Sequence, residues 1–97
     1  MHFLITAYDG KDAGAPARRQ TARAAHLENA GRLYESKALV AGGAILDDAG
    51  GMIGSTLVVD FPDRAALDAA IRDDPYVRQG VWRDIKVEPI RLAFGAR

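Results

Sequence analysis

The sequence predicts an α+β domain of the ferredoxin-like kind: a four-stranded antiparallel sheet with two helices on one face, in the order β-α-β-β-α-β. Three observations carry that prediction. Four segments, 3–8, 39–46, 52–61 and 84–94, alternate their side chains with the period of a strand. Two others, 15–36 and 63–73, repeat apolar residues at helical spacing. Glycine, proline and aspartate mark the junctions, and a strand-helix-strand followed by a second strand-helix-strand is the split βαβ arrangement.

In the first strand Phe3, Ile5 and Ala7 point one way and Leu4, Thr6 and Tyr8 the other. Apolar groups on both faces imply a central, covered strand. Asp9 to Gly14 reads as a loop. The first helix runs from Ala15 to about Ser36, with Pro16 in its first turn, where no helical hydrogen bond is lost. The second strand, Leu39 to Leu46, holds Gly42 and Gly43, a pair that predicts a bulge or a close approach of backbone or ligand. Asp47 to Gly51 is a hairpin loop. The third strand, Met52 to Phe61, keeps Ile53, Ser55, Leu57, Val59 and Phe61 on one face. Asp63 is a suitable N-cap for the second helix, whose apolar stripe is Ala66, Leu67, Ala70 and Ile71. That helix ends at Asp73-Asp74-Pro75, because proline disfavours a helical residue before it. Tyr76 to Val81 form a turn or a short helix. In the last strand, Asp84 to Phe94, the alternation Ile85, Val87 shifts by one to Ile90, Leu92, Phe94. The shift predicts a bulge at Glu88-Pro89 on an edge strand.

With 97 residues the chain is one domain, 1–97, with a thin core. A ferredoxin-like sheet leaves one face without helices, and here that face carries apolar groups, so a second copy stacked sheet on sheet is expected. Thirteen basic residues balance thirteen acidic ones, and no strand presents a basic, aromatic-rich face. Nucleic acid and anionic membranes are therefore not expected partners. Cysteine is absent, which excludes disulfides, a thiol nucleophile and a thiolate metal site. The apolar start, Met1 to Tyr8, lacks a basic leader and is interrupted by Asp9, so a cytoplasmic protein is expected. His2, His26 and scattered carboxylates supply no evident metal ligand set, and no glycine-rich nucleotide fingerprint appears, so no cofactor is expected.

The first helix carries the functional signal. Leu27, Ala30, Leu33 and Tyr34 share one arc, expected to face the sheet, while Arg18, Ala25, Glu28, Arg32 and Glu35 lie opposite. Arg19, Arg23 and His26 project into that apolar arc. Inward cations are costly unless paired or wetted. Either the first turns overhang the sheet edge and the arginines reach water, or a cleft between helix and sheet is lined by cations that attract an anion. Asp73 and Asp74 are the second signal, since carboxylates at a helix C-terminus oppose its dipole. Asp73 reads as solvated, whereas Pro75 and Tyr76 form a fixed turn that aims Asp74. A carboxylate bonded to one nitrogen of His26 would leave the other nitrogen to accept a proton. Ser55 is the third signal: it interrupts an apolar row, either as a small residue under a bulky neighbour or as a hydroxyl donor to a ligand.

Arg23-x-x-His26, Ala41-Gly42, Gly54-Ser55 and Asp74-Pro75-Tyr76 with Gly80-Val81 resemble, in order and spacing, the YciI-like (YCII-related) proteins. The resemblance covers nearly the whole chain. It implies a dimeric α+β barrel and an active site built on a His-Asp pair, here His26 and Asp74, with Arg23 and Ser55 lining the same pocket. Arg19 and Gly42 join them as expected substrate-binding positions. Many relatives have proline after the glycine of the second strand, where this chain has Gly43. With His26 as general acid/base, Asp74 orienting it and Arg23 anchoring an anionic group, the residues point to a lyase or isomerase acting on a small anionic, aromatic or lactone metabolite. A binding or sensing module with the same pocket is the alternative.

Overall fold

The computed structural model describes residues 1–95. Its elements are β1 (His2–Asp9), α1 (Ala15–Glu35), β2 (Leu39–Leu46), β3 (Met52–Asp60), α2 (Arg64–Asp73), α3 (Pro75–Arg78) and β4 (Trp82–Ile90). The strands form one sheet in the order β2-β3-β1-β4, each neighbouring pair antiparallel. This is the ferredoxin-like α+β fold that the element order predicts, with β1 central and β4 at an edge. No helix among the described residues is long and apolar enough to cross a membrane.

Strand register sorts the side chains. Phe3, Ile5 and Ala7 lie opposite Val59, Leu57 and Ser55, and these pairs face the helices. With Leu67, Tyr76, Val81 and Trp82 they form the core. Each large apolar side chain so buried contributes about 1.5–3 kcal/mol. Gly54 sits where a side chain cannot: an added Cβ would lie 2.5 Å from the Ala7 carbonyl oxygen. Asp63 caps α2 as expected, its carboxylate accepting the Ala66 N–H at 2.8 Å.

Several expectations about local shape are corrected. Asp9 is not in a loop but ends β1 and is buried. No bulge occurs at Glu88-Pro89; Glu88 and Pro89 pair regularly with Leu4 and Phe3. The strand stops at Ile90, so Leu92 and Phe94 of the shifted alternation lie beyond the sheet, and Phe94 is exposed. The bulge in β4 lies at its other end: Asp84 faces Tyr8 and Trp82 faces Asp9, so Arg83 is extra. An extra residue reverses which side of the sheet the chain presents. Trp82 is thereby turned to the helix face. In β2 the bulge falls at Val40, between the Leu39 and Ala41 pairs, and Gly42-Gly43 are in regular register. A second irregularity near Ile45/Leu46 takes Ile53 out of its expected row, leaving it exposed.

The buried line of α1 also differs. It runs Ala15, Arg19, Ala22, His26, continued by half-buried Ala30 and Leu33. Leu27 and Tyr34, expected against the sheet, are 47% and 61% exposed. The reason is that Arg19 and His26 find buried carboxylate partners on that line. The helix therefore settles with its polar residues inward, and Leu27 and Tyr34 move to the rim of a cleft.

Candidate active site

The cleft, about 620 Å³, opens between α1 and the β2-β3 half of the sheet. Arg19, Arg23 and His26 line it from the helix, Gly42 and Ser55 from the strands, and Tyr76 from its inner end. Leu27, Tyr34 and Met52 give its rim an apolar character.

His26 and Asp74 meet there. His26 Nδ1 lies 2.8 Å from Asp74 Oδ1, and both side chains are buried. The geometry of Asp74 follows from its neighbour. Proline at position 75 excludes the helical conformation at the preceding residue, and Asp74 adopts φ −68°, ψ 130°. It closes α2 and opens α3 in a single residue. Its Oδ1 also accepts the Tyr76 N–H at 2.9 Å, so the carboxylate is held from two sides. An ionised carboxylate only accepts, which assigns the proton to Nδ1 of the imidazole. Nε2 has no hydrogen-bond partner among the described residues. The Tyr76 ring stacks on the imidazole, centroids 3.8 Å apart and planes 8° from parallel, and Trp82 meets both rings edge-on. Burial pushes the Tyr76 phenol above its ordinary pKa, with Arg19 and Arg23 pulling weakly the other way.

Beside this pair lies a second buried one. Arg19 Nη1 donates to both Asp9 oxygens, at 2.9 and 3.0 Å, and Nη2 donates to Ser55 Oγ at 3.0 Å. Trp82 Nε1 donates to the same Oγ at 3.1 Å. The guanidinium carbon sits 4.9 Å over the Tyr76 ring. Arg19 therefore does not reach water; at 7% exposure it is enclosed, and its charge is balanced by Asp9. Arg23 is half-buried, lines the cleft and has no ion-pair or hydrogen-bond partner among the described residues. It gives the cleft its positive sign.

The YCII-related domain family matches residues 1–91. The chain belongs to that family. Protein YciI of Escherichia coli O6:H1 is 31% identical over 100 residues, spanning 97% of this chain and all of that protein. Among solved structures, the 5-chloro-2-hydroxyhydroquinone dehydrochlorinase TftG of Burkholderia phenoliruptrix AC1100, in complex with 2,5-dihydroxybenzoquinone, superposes with a TM-score of 0.82. The two are 26% identical, with 94% of each chain covered. A dimeric ferredoxin-like protein from Jannaschia sp. CCS1 has a TM-score of 0.53 at 21% identity, over 94% of this chain and 98% of that one, a likeness of fold alone.

In this YCII-related chain the residues singled out in the sequence converge. His26, Asp74, Arg19, Arg23 and Ser55 meet within one cleft or its wall, and Gly42 forms part of the opposite wall. A Cβ at Gly42 would make only ordinary contacts of 3.4–3.5 Å, so the glycine leaves the wall open rather than relieving a clash. Asp73 is exposed, as expected. Three contributors were not anticipated: Asp9, Trp82 and the ring of Tyr76. Asp9 resembles a turn residue in sequence. Trp82 enters the site only through the extra residue at Arg83. The one available signal was Arg19, an inward cation that needed a buried carboxylate.

Proposed function

We propose that the chain is an acid–base enzyme of the lyase or isomerase type acting on a small, anionic, planar metabolite. The observation that carries this reading is the buried 2.8 Å contact of His26 Nδ1 with Asp74 Oδ1 at the wall of an open cleft. With the proton on Nδ1, neutral imidazole keeps a lone pair on Nε2. Nε2 takes a proton from an acidic O–H or C–H of the substrate, and Asp74 stabilises the imidazolium that forms. Returned to another atom, that proton completes an isomerisation; released to solvent after a leaving group departs with its electron pair, it completes an elimination. Arg23 anchors the substrate's anionic group. The apolar rim and the Tyr76 ring suit a flat, aromatic or lactone-like molecule. The likeness to a dehydrochlorinase supports the reading, because loss of HCl requires a base for the proton while chloride leaves. The reading includes a homodimer: the helix-free face presents Leu4, Thr6, Val58, Ala41 and Ile45, with Asp84, Lys86 and Glu88 on edge strand β4 and Asp60 at the end of β3.

The test is turnover of 5-chloro-2-hydroxyhydroquinone, followed by chloride release, alongside a panel of aromatic carboxylates and lactones followed by mass spectrometry. Turnover is expected for at least one compound, with a loss of about 10²-fold or more in His26→Asn and in Asp74→Asn. Far-UV circular dichroism of both variants should match the wild type. Compounds that raise the melting temperature but are recovered unchanged would instead support a binding or sensing module and overturn the enzymatic reading.

A further inference from the structure

Ser55 Oγ accepts one hydrogen bond from Arg19 Nη2 and one from Trp82 Nε1. Neither a guanidinium nor an indole nitrogen can accept in return. A hydroxyl oxygen has two lone pairs, so both are occupied and only the O–H remains. That O–H has no acceptor among the described residues, although Ser55 is buried and lines the cleft. Its polarity cannot invert without breaking a bond that is fixed from behind. Arg19 is clamped by both oxygens of Asp9, and Trp82 is held edge-on against His26 and Tyr76. Arg19 Nε is a further buried donor without a partner. This corner of the cleft has donors in excess and lacks acceptors.

We propose that Ser55 is a one-way hydrogen-bond donor that admits only an acceptor oxygen of the ligand, a carbonyl, phenolate, enolate or carboxylate, with Asp9, Arg19 and Trp82 as the positioning residues that hold it so. The inference rests on the cleft being a ligand site and narrows the ligand's class. A ligand N–H at the same point meets only donors and is rejected. The resulting discrimination is about tenfold or more, because a buried donor is left unpaired.

Isothermal titration of 3- and 4-acetylbenzoate against 3- and 4-aminobenzoate tests it. All four carry a carboxylate for Arg23; the acetyl group only accepts, whereas the aryl amine chiefly donates. One acetyl isomer is expected to bind at least about tenfold more tightly than the matching amine. Ser55→Ala should reduce that ratio to within about threefold. Trp82→Phe keeps an aromatic ring, removes the N–H and frees one lone pair of Ser55, so it should also narrow the ratio, and it decides the matter if Ser55→Ala does not fold. Arg23→Gln should weaken all four ligands and leave the ratio intact. Equal binding of amine and acetyl probes, or a ratio unchanged in the Ser55 and Trp82 variants, overturns the one-way donor alone. No binding of any of the four to the wild type overturns the ligand-site reading and the inference with it.

Discussion

The ring of Tyr76 lies flat against His26 while its backbone N–H holds Asp74, so one residue orients both members of the pair. Its phenol is desolvated in the process, and burial raises its pKa. The folded protein then keeps the phenolic proton at pH values where the unfolded chain releases it. Stability of this origin is complete below the ordinary tyrosine value, about 10, and is lost as pH rises through the higher folded value. The melting temperature of the wild type is therefore expected to fall more steeply between about pH 9 and pH 11 than that of Tyr76→Phe, measured by scanning calorimetry. Equal slopes would remove the phenol from the account. At this scale the His26–Asp74 contact was legible, because a histidine in an apolar arc and an Asp-Pro dipeptide at a helix end are both locally unfavourable without a partner. Asp9 was not, because an aspartate before glycine carries the same local signal whether it turns in solvent or buries against Arg19.

The junction of α2 with α3 shows how a rule about a single peptide unit positions a site. Asp63 and Asp74 are both N-caps, yet their roles differ in what else depends on them. Asp63→Ala removes one exposed cap, a loss of about 1 kcal/mol. Asp74→Ala removes a cap and also strands the buried Nδ1–H of His26, which adds about 1–3 kcal/mol. Urea unfolding should therefore find Asp74→Ala the more destabilised by at least about 1 kcal/mol; comparable losses would mean that the His26 contact contributes nothing to folding. The strands were less legible than the helices. Val40 and Arg83 are the extra residues of their strands, and neither differs in kind from its neighbours, so sequence period alone could not locate the bulges. At Glu88-Pro89 a real change of period marked the approach to the strand's end and not a distortion within it.

Across the whole molecule, one sheet face is covered by helices and the other is not. At the centre of the uncovered face the middle strands carry Leu4 and Thr6 against Val58 and Thr56, with Asp60 set at the strand end opposite His2. A thin core gains most from a second copy stacked there. Val58→Glu puts a carboxylate into that layer and is expected to convert dimer to monomer in sedimentation equilibrium. A wild type that is monomeric throughout, or a Val58→Glu protein that remains dimeric, would refute this mode of association. The fold itself was legible because the element order and the apolar content of both strand faces depend on the entire chain and survive local errors at single positions.

The extra residue at Arg83 has a consequence for variation by insertion and deletion. Strand geometry counts in twos: if Arg83 paired regularly with Asp9, the indole of Trp82 would turn from the helix side to the bare side of the sheet, whereas deletion of Arg83 would remove the bulge and leave Trp82 opposite Asp9 on the helix side. In that regular pairing His26 and Tyr76 would lose their edge-on neighbour and Ser55 one of its two donors, while a bulky ring would protrude from the face that the helices leave uncovered. The parity of a single edge strand thus ties the wall of the cleft on one side of the sheet to the surface of the other.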